Sequence, residues 1–138
     1  MASSKRIFDL LKTNEHIPEN TDPKIVDNLK QDIRYTNLSF RYPNGADLFH
    51  NFSMEIKYGS SVGIVGDTGS GKTTLAKLLL RLYDPLSGEI FIGDDNISNI
   101  SIENLRSKIG IVSQDTFLFN ASIKENISYG NQSCSDEE

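Results

Sequence analysis

Eight consecutive residues, Gly66-Asp67-Thr68-Gly69-Ser70-Gly71-Lys72-Thr73, combine a glycine-rich bend with one ammonium and one hydroxyl at its end. A glycine, four residues and then Gly-Lys-Thr is the spacing of a phosphate-binding loop. A triphosphate brings several negative charges that donors must meet at close range. Glycines at 66, 69 and 71 let the backbone curl and bring its N–H groups near, because no Cβ stands in the way. A helix starting here would add unpaired N–H groups and the positive end of its dipole. Lys72 supplies a mobile charge for the β- and γ-phosphates. Thr73 supplies a hydroxyl for Mg²⁺, a hard ion that prefers oxygen.

Such a loop needs a strand before it and a helix after it. The apolar run Val62-Gly63-Ile64-Val65 reads as a buried strand. Leu75, Leu78, Leu79 and Leu82 recur at the spacing of an apolar helix stripe. Upstream, Ile33, Tyr35, Leu38, Phe40 and Tyr42 alternate with polar residues, and the phase slips near Thr36-Asn37, which predicts a bulge. Pro43-Asn44-Gly45 is a turn, and Phe52, Met54 and Ile56 form one face of a second strand, so an antiparallel hairpin is expected. Downstream, Asp84-Pro85 stops the helix, Glu89-Ile90-Phe91-Ile92 is a short strand, and Gly93-Asp94-Asp95-Asn96 turns the chain. Ser101 can cap a helix to about Lys108. Ile109-Gly110-Ile111-Val112 reads as another strand, and Ser122-Ile123-Lys124-Glu125 is a capping box. Residues 4–12 read as a short helix, residues 13–32 as a polar linker with few apolar anchors, and residues 133–138 as a disordered acidic tail.

With 138 residues the chain can be one domain or part of a larger one. A formal net charge of −5 argues against a nucleic-acid partner held by bulk charge. No apolar run approaches a membrane span and the first residues lack a signal-peptide pattern, so this segment is expected to be soluble. The single cysteine, Cys134, permits no internal disulfide and suits a reducing compartment.

Three further stretches narrow the class: Phe40-Arg41-Tyr42-Pro43 before the loop, Asp84-Pro85-Leu86-Ser87-Gly88-Glu89-Ile90 after its helix, and Ile111-Val112-Ser113-Gln114-Asp115 ahead of Leu118-Phe119-Asn120-Ala121-Ser122-Ile123-Lys124-Glu125-Asn126-Ile127. In this order the set resembles the nucleotide-binding domain of ATP-binding cassette (ABC) transporters. The last run and Arg6-Ile7-Phe8-Asp9-Leu10-Leu11 look like the exporter branch, the multidrug-resistance and peptide-transporter type. The resemblance implies an α/β fold, a P-loop NTPase of the ABC ATPase type, with an antiparallel β-subdomain and an incomplete parallel-sheet core. It divides the chain into a helical segment continuing from a membrane domain (1–12), a linker (13–32), the N-terminal part of the ATP-binding domain (33–132) and a tail (133–138).

The resemblance also assigns roles. Tyr42 matches the aromatic that stacks on adenine. The loop residues Gly66, Asp67, Thr68, Gly69, Ser70, Gly71, Lys72 and Thr73, with Thr74, match the phosphate grip. Gln114 matches the glutamine whose amide oxygen reaches Mg²⁺ and the attacking water. Lys72 and Gln114 are thus the expected catalytic residues, and Thr73 and Gln114 the expected Mg²⁺ contacts. Residues 120–127 would face the intracellular loops of a transmembrane domain. ATP and Mg²⁺ are the implied cofactors, and a second nucleotide-binding domain, paired head to tail, is the other implied partner. The implied setting is the cytosolic face of a membrane. The family's Leu-Ser-Gly-Gly-Gln loop, its Asp-Glu strand end and its switch histidine have no match; His16 and His50 both precede the loop. These residues alone are therefore expected to bind nucleotide weakly without turnover, and to be poorly soluble or partly molten. A non-hydrolytic nucleotide-binding module and a soluble ABC ATPase without transport are the rival classes.

Overall fold

The computed structural model describes residues 17–113 and 117–130. The expected helix at 4–12, Gln114 and the tail lie outside the described residues, as does His16.

The alternation at 33–42 does what its period requires. It forms β1 (Ile33–Arg41), which turns Tyr35, Leu38 and Phe40 inward. After the Pro43-Asn44-Gly45 turn, closed by Gly45 N–H to the Tyr42 carbonyl at 2.9 Å, β2 (Asp47–Ile56) returns antiparallel. The slip read near Thr36-Asn37 is a real irregularity: the register shifts between Tyr35 and Leu38, and Asn37 adopts φ 48°. Asn51, on the facing strand, adopts φ 49°. Serine hydroxyls take over where the ladder breaks. Ser53 Oγ accepts from the Asn37 amide at 2.9 Å and Ser39 Oγ from the Asn51 amide at 3.2 Å.

A helix α1 (Lys72–Leu79) follows the loop, and β3 (Ser87–Ile92) then pairs with the other edge of β1. A two-residue strand β4 (Asp95–Asn96) folds back on β3, giving the order β2-β1-β3-β4, antiparallel throughout. A 3₁₀ turn (Ile97–Asn99) leads to α2 (Ile102–Ser107), whose first turn is capped by Ser101 Oγ accepting from the Asn104 amide. The last element is α3 (Ile123–Ser128), with the reciprocal Ser122–Glu125 capping box in place. Leu75 and Leu78 of α1, Ile90 and Ile92 of β3, Ile97, Ile100 and Leu105 close over the inward face of β1 as one core.

Three expectations need correction. The run 62–65 is not a buried strand: it makes no ladder, and Val65 is 96% exposed. The run 109–112 likewise joins no strand ladder among the described residues, and Val112 is 96% exposed. A parallel strand is stable only between covered neighbours, and among the described residues neither run has one. Leu82 does not join the helix stripe. The helix ends at Leu79, and Arg81, at φ 48°, turns the chain away.

The polar stretch before β1 is anchored along its described part. Lys24 forms a parallel bridge with Ile100, through its amide to the Asn99 carbonyl at 2.7 Å and its carbonyl from the Ser101 amide at 2.9 Å. The Val26 amide donates to Asn104 Oδ1, Glu19 accepts from the Ile102 amide, and the Val26 side chain is buried. Backbone bonding of this kind leaves no trace in composition.

Candidate phosphate and nucleotide site

The site is built on the N-terminus of α1. Gly69 and Gly71 take φ values of 84° and 96°, a region that costs other residues energy. The bend they make is closed by the Ser70 amide on the Asp67 carbonyl at 3.1 Å. Space also matters at Gly66, where a Cβ would stand 2.8 Å from Ser70 Oγ. No side chain caps α1 and no acidic residue lies in its first turn. Intrahelical bonding begins with the Thr74 and Leu75 amides on the Gly71 carbonyl, which leaves the Lys72 and Thr73 amides at the helix's positive end. The Lys72 ammonium folds back over the bend and donates to the Gly66 carbonyl at 2.8 Å and the Asp67 carbonyl at 2.7 Å. Asp67 and Thr68 sit on the exposed outer part of the bend.

Tyr42, the residue after β1, is brought against this loop, which begins further along the chain at Gly66. Its hydroxyl shares a hydrogen bond with Thr74 Oγ1 at 3.0 Å, and its ring meets those of Phe40 and Tyr83 edge-on. Lys77 Nζ lies 5.8 Å from the ring centroid. Tyr42, Leu48, Gly69, Gly71 and the Lys72-Thr73-Thr74 run line one cavity of about 270 Å³. The structure thus brings together Tyr42, the bend, Lys72, Thr73 and Thr74. Gln114 lies outside the described residues.

The lining suits a polyanion carrying a flat group. It offers backbone amides, one ammonium, hydroxyls and an aromatic ring, and no carboxylate. Among the described residues no cluster of His, Cys, Asp or Glu could hold a metal alone. A Mg²⁺ ion held through the Thr73 hydroxyl would therefore need oxygens from the phosphates themselves, as this ion commonly does. Two lining or supporting residues escaped sequence reasoning. Leu48 looks like an ordinary strand residue, and Tyr83 like the end of a helix; nothing in their local patterns marks proximity to the loop.

Within α3, Asn126 ties down the segment ahead of the helix: its Oδ1 accepts from the Phe119 amide at 2.8 Å and its Nδ2 donates to the Ser122 carbonyl at 2.9 Å. Phe117, Leu118, Ile123 and Ile127 are left exposed around it. No helix among the described residues is long and apolar enough to cross a membrane.

Comparison with known proteins gives a consistent set of relatives. A family model described as ABC transporter matches residues 49–138. The ATP-dependent permease MDL1 of Candida albicans is 40% identical over 140 residues, covering 100% of this chain and 20% of the permease. The mitochondrial iron-sulfur clusters transporter ATM1 of Chaetomium globosum is 43% identical, over 95% of this chain and 22% of that protein. Among solved structures, a bacterial Atm1-family ABC exporter with ATP bound superposes with a TM-score of 0.85 at 36% identity, covering 99% of this chain and 24% of the exporter's. The chain thus spans about a fifth of the length of these curated relatives.

Proposed function

The chain belongs to the ABC transporter family, and we propose that residues 33–132 are the nucleotide-gripping part of an ATP-binding domain whose parent protein exports a solute across a membrane. The observation that carries this reading is the cavity that joins Tyr42 to the amides, ammonium and hydroxyls at the start of α1. The reading follows the charge. ATP places its β- and γ-phosphates against the bend, and Lys72 exchanges its bonds to the Gly66 and Asp67 carbonyls for phosphate oxygens. That exchange costs little, because one set of charge-assisted bonds replaces another. Mg²⁺, when bound, would supply positive charge to offset the negative charge of the phosphates. Thr73 offers its hydroxyl to that ion, and Gln114 its amide oxygen. The ring of Tyr42 gives adenine a face to rest on.

Phosphoryl transfer of this kind is mostly positioning and charge stabilisation. These 138 residues carry the grip, while the Leu-Ser-Gly-Gly-Gln loop and the Asp-Glu strand end of the family have no counterpart in them. By themselves they bind Mg·ATP and turn it over at background rate. In the parent protein a second nucleotide-binding domain closes head to tail over the ATP, and the exposed apolar residues around α3 rest on the intracellular loops of a transmembrane domain, at the cytosolic face of the membrane. The 1–12, 13–32 and 33–132 divisions are part of the same proposal.

The test is calorimetric titration with Mg·ATP. Lys72→Ala is expected to weaken binding at least about tenfold, the loss of one charge-assisted contact of roughly 1.5–3 kcal/mol. Unchanged affinity in the folded variant would remove the phosphate grip from this loop.

A further inference from the structure

Tyr42 is the wall shared by two cavities. One reaches the phosphate loop; the other, of about 510 Å³, is lined in part by Phe40, Tyr83 and Leu86. A tyrosine at a strand end, next to a turn, has no ladder to hold its ring. Here its hydroxyl and its ring neighbours do so, with Lys77 Nζ 5.8 Å from the ring centroid as a further contact. The hydroxyl is tied to Thr74. Phe40 meets the ring at 5.0 Å and 81°, and Tyr83 meets it at 5.1 Å and 90°. Phe40 and Tyr83 meet each other at 5.8 Å and 62°, closing a three-ring cluster. Phe40 is core, so its position is given by the sheet. Tyr83 is different: it is half-buried and belongs to no strand or helix.

What holds Tyr83 is the turn that ends α1. Arg81 is buried, at 3% exposure, and sits in the left-handed region at φ 48°. Its guanidinium donates to Asp84 Oδ1 at 3.1 Å, the Ser98 carbonyl at 3.1 Å and the Pro18 carbonyl at 3.0 Å. Arg106 donates in turn to the Leu80 and Arg81 carbonyls. The turn is thus fastened on three sides, and Tyr83 projects from it against Tyr42.

We propose that Tyr83 is a positioning residue of the base subsite: held by the Arg81 turn, it fixes the plane of the Tyr42 ring so that one face stays presented to the cavity over the phosphate loop. This rests on the reading of Tyr42 as the base platform. It makes α1 a spacer with the phosphate grip at one end and the support of the base platform at the other, about 12 Å away for eight residues.

The experiment compares Mg·ATP with inorganic tripolyphosphate, which has the charge and lacks the base, by equilibrium titration of the full-length protein. Each variant's fold is checked by circular dichroism and thermal melting. Tyr83→Leu is expected to weaken ATP about fivefold, the size of one aromatic pair contact, and to leave tripolyphosphate unchanged. Tyr83→Phe keeps the ring and is expected to keep ATP affinity. Should Tyr83→Leu fail to fold, Tyr83→Met takes its place. An equal loss for both ligands would mean a merely structural role and overturn the proposal. So would unchanged ATP affinity in Tyr83→Leu beside weakened affinity in Tyr42→Ala. If Tyr42→Ala itself leaves ATP untouched while Lys72→Ala weakens it, the platform reading falls, and the role of Tyr83 falls with it.

Discussion

At the scale of single residues, α1 is held by polar contacts from elsewhere: Tyr42 on Thr74 near its start, and Arg106 on the Leu80 and Arg81 carbonyls just past its end. In the middle it is Tyr35, whose hydroxyl donates to the Leu75 carbonyl at 3.1 Å from within the core. Burial pushes that phenol up to about 12. A raised folded value means the stabilisation is complete below the ordinary phenol range and is lost as pH rises through about 12. Tyr35→Phe should cost about 1 kcal/mol at neutral pH. It should also delete the latest step in a spectrophotometric tyrosine titration; a titration that keeps that step would place the shifted phenol elsewhere. At the N-terminus, Gly71→Ala would put a Cβ 2.6 Å from Phe49 Cζ at a φ of 96°. Titration of that variant should show ATP and tripolyphosphate weakened alike, because the bend itself is displaced. Much of this was legible beforehand. The bend, Lys72 and Thr73 announce themselves because one short stretch contains the whole donor set. Leu48, Tyr83 and Arg81 do not, since each acts through neighbours far away in the chain.

The elements divide the same way, and the dividing line is the distance over which each finds its partners. The hairpin, its bulge and the two serine caps were readable because alternation, turn residues and capping spacing are local. The runs at 62–65 and 109–112 carry the composition of strands, yet composition does not supply a neighbour. At the β1–β3 seam the backbones approach so closely that a Cβ on Gly88 would meet the Asn37 carbonyl oxygen at 2.4 Å and the Thr36 oxygen at 2.5 Å, at φ 85°. Neither atom can swing aside. Gly88→Ala should therefore destabilise by more than about 2 kcal/mol in denaturant unfolding. At α3, the Ser122 hydroxyl and amide hold the Glu125 carboxyl below the usual glutamate range. A lowered folded value gives a contribution present above the ordinary pKa and lost as pH falls through the lowered one. Carboxyl-resolved NMR should show Glu125 keeping its charge to lower pH than an ordinary glutamate, and Ser122→Ala should return it to the ordinary range.

For the whole molecule, the balance is between a closed antiparallel half and an open apolar one. Val62, Ile64, Val65, Ile111 and Val112 are all more than two-fifths exposed, and apolar strand-forming runs without cover invite association. The 138-residue chain should bind a hydrophobic dye at neutral pH and self-associate as concentration rises. Val65→Lys with Val112→Lys should reduce both without lowering the melting temperature, since neither side chain packs on the core. Undiminished dye binding would locate the sticky surface elsewhere. The stretch tied to Ile100 and Asn104 has a different consequence, one of timing. Val26 bonds a residue 78 positions later. At about 5–20 residues per second, a ribosome needs roughly 4–16 s to make that partner. Through that interval the stretch around Lys24 and Val26 must wait with its amides in water, so its clasp on Ile100 and Asn104 can close only after the hairpin beside it has been made.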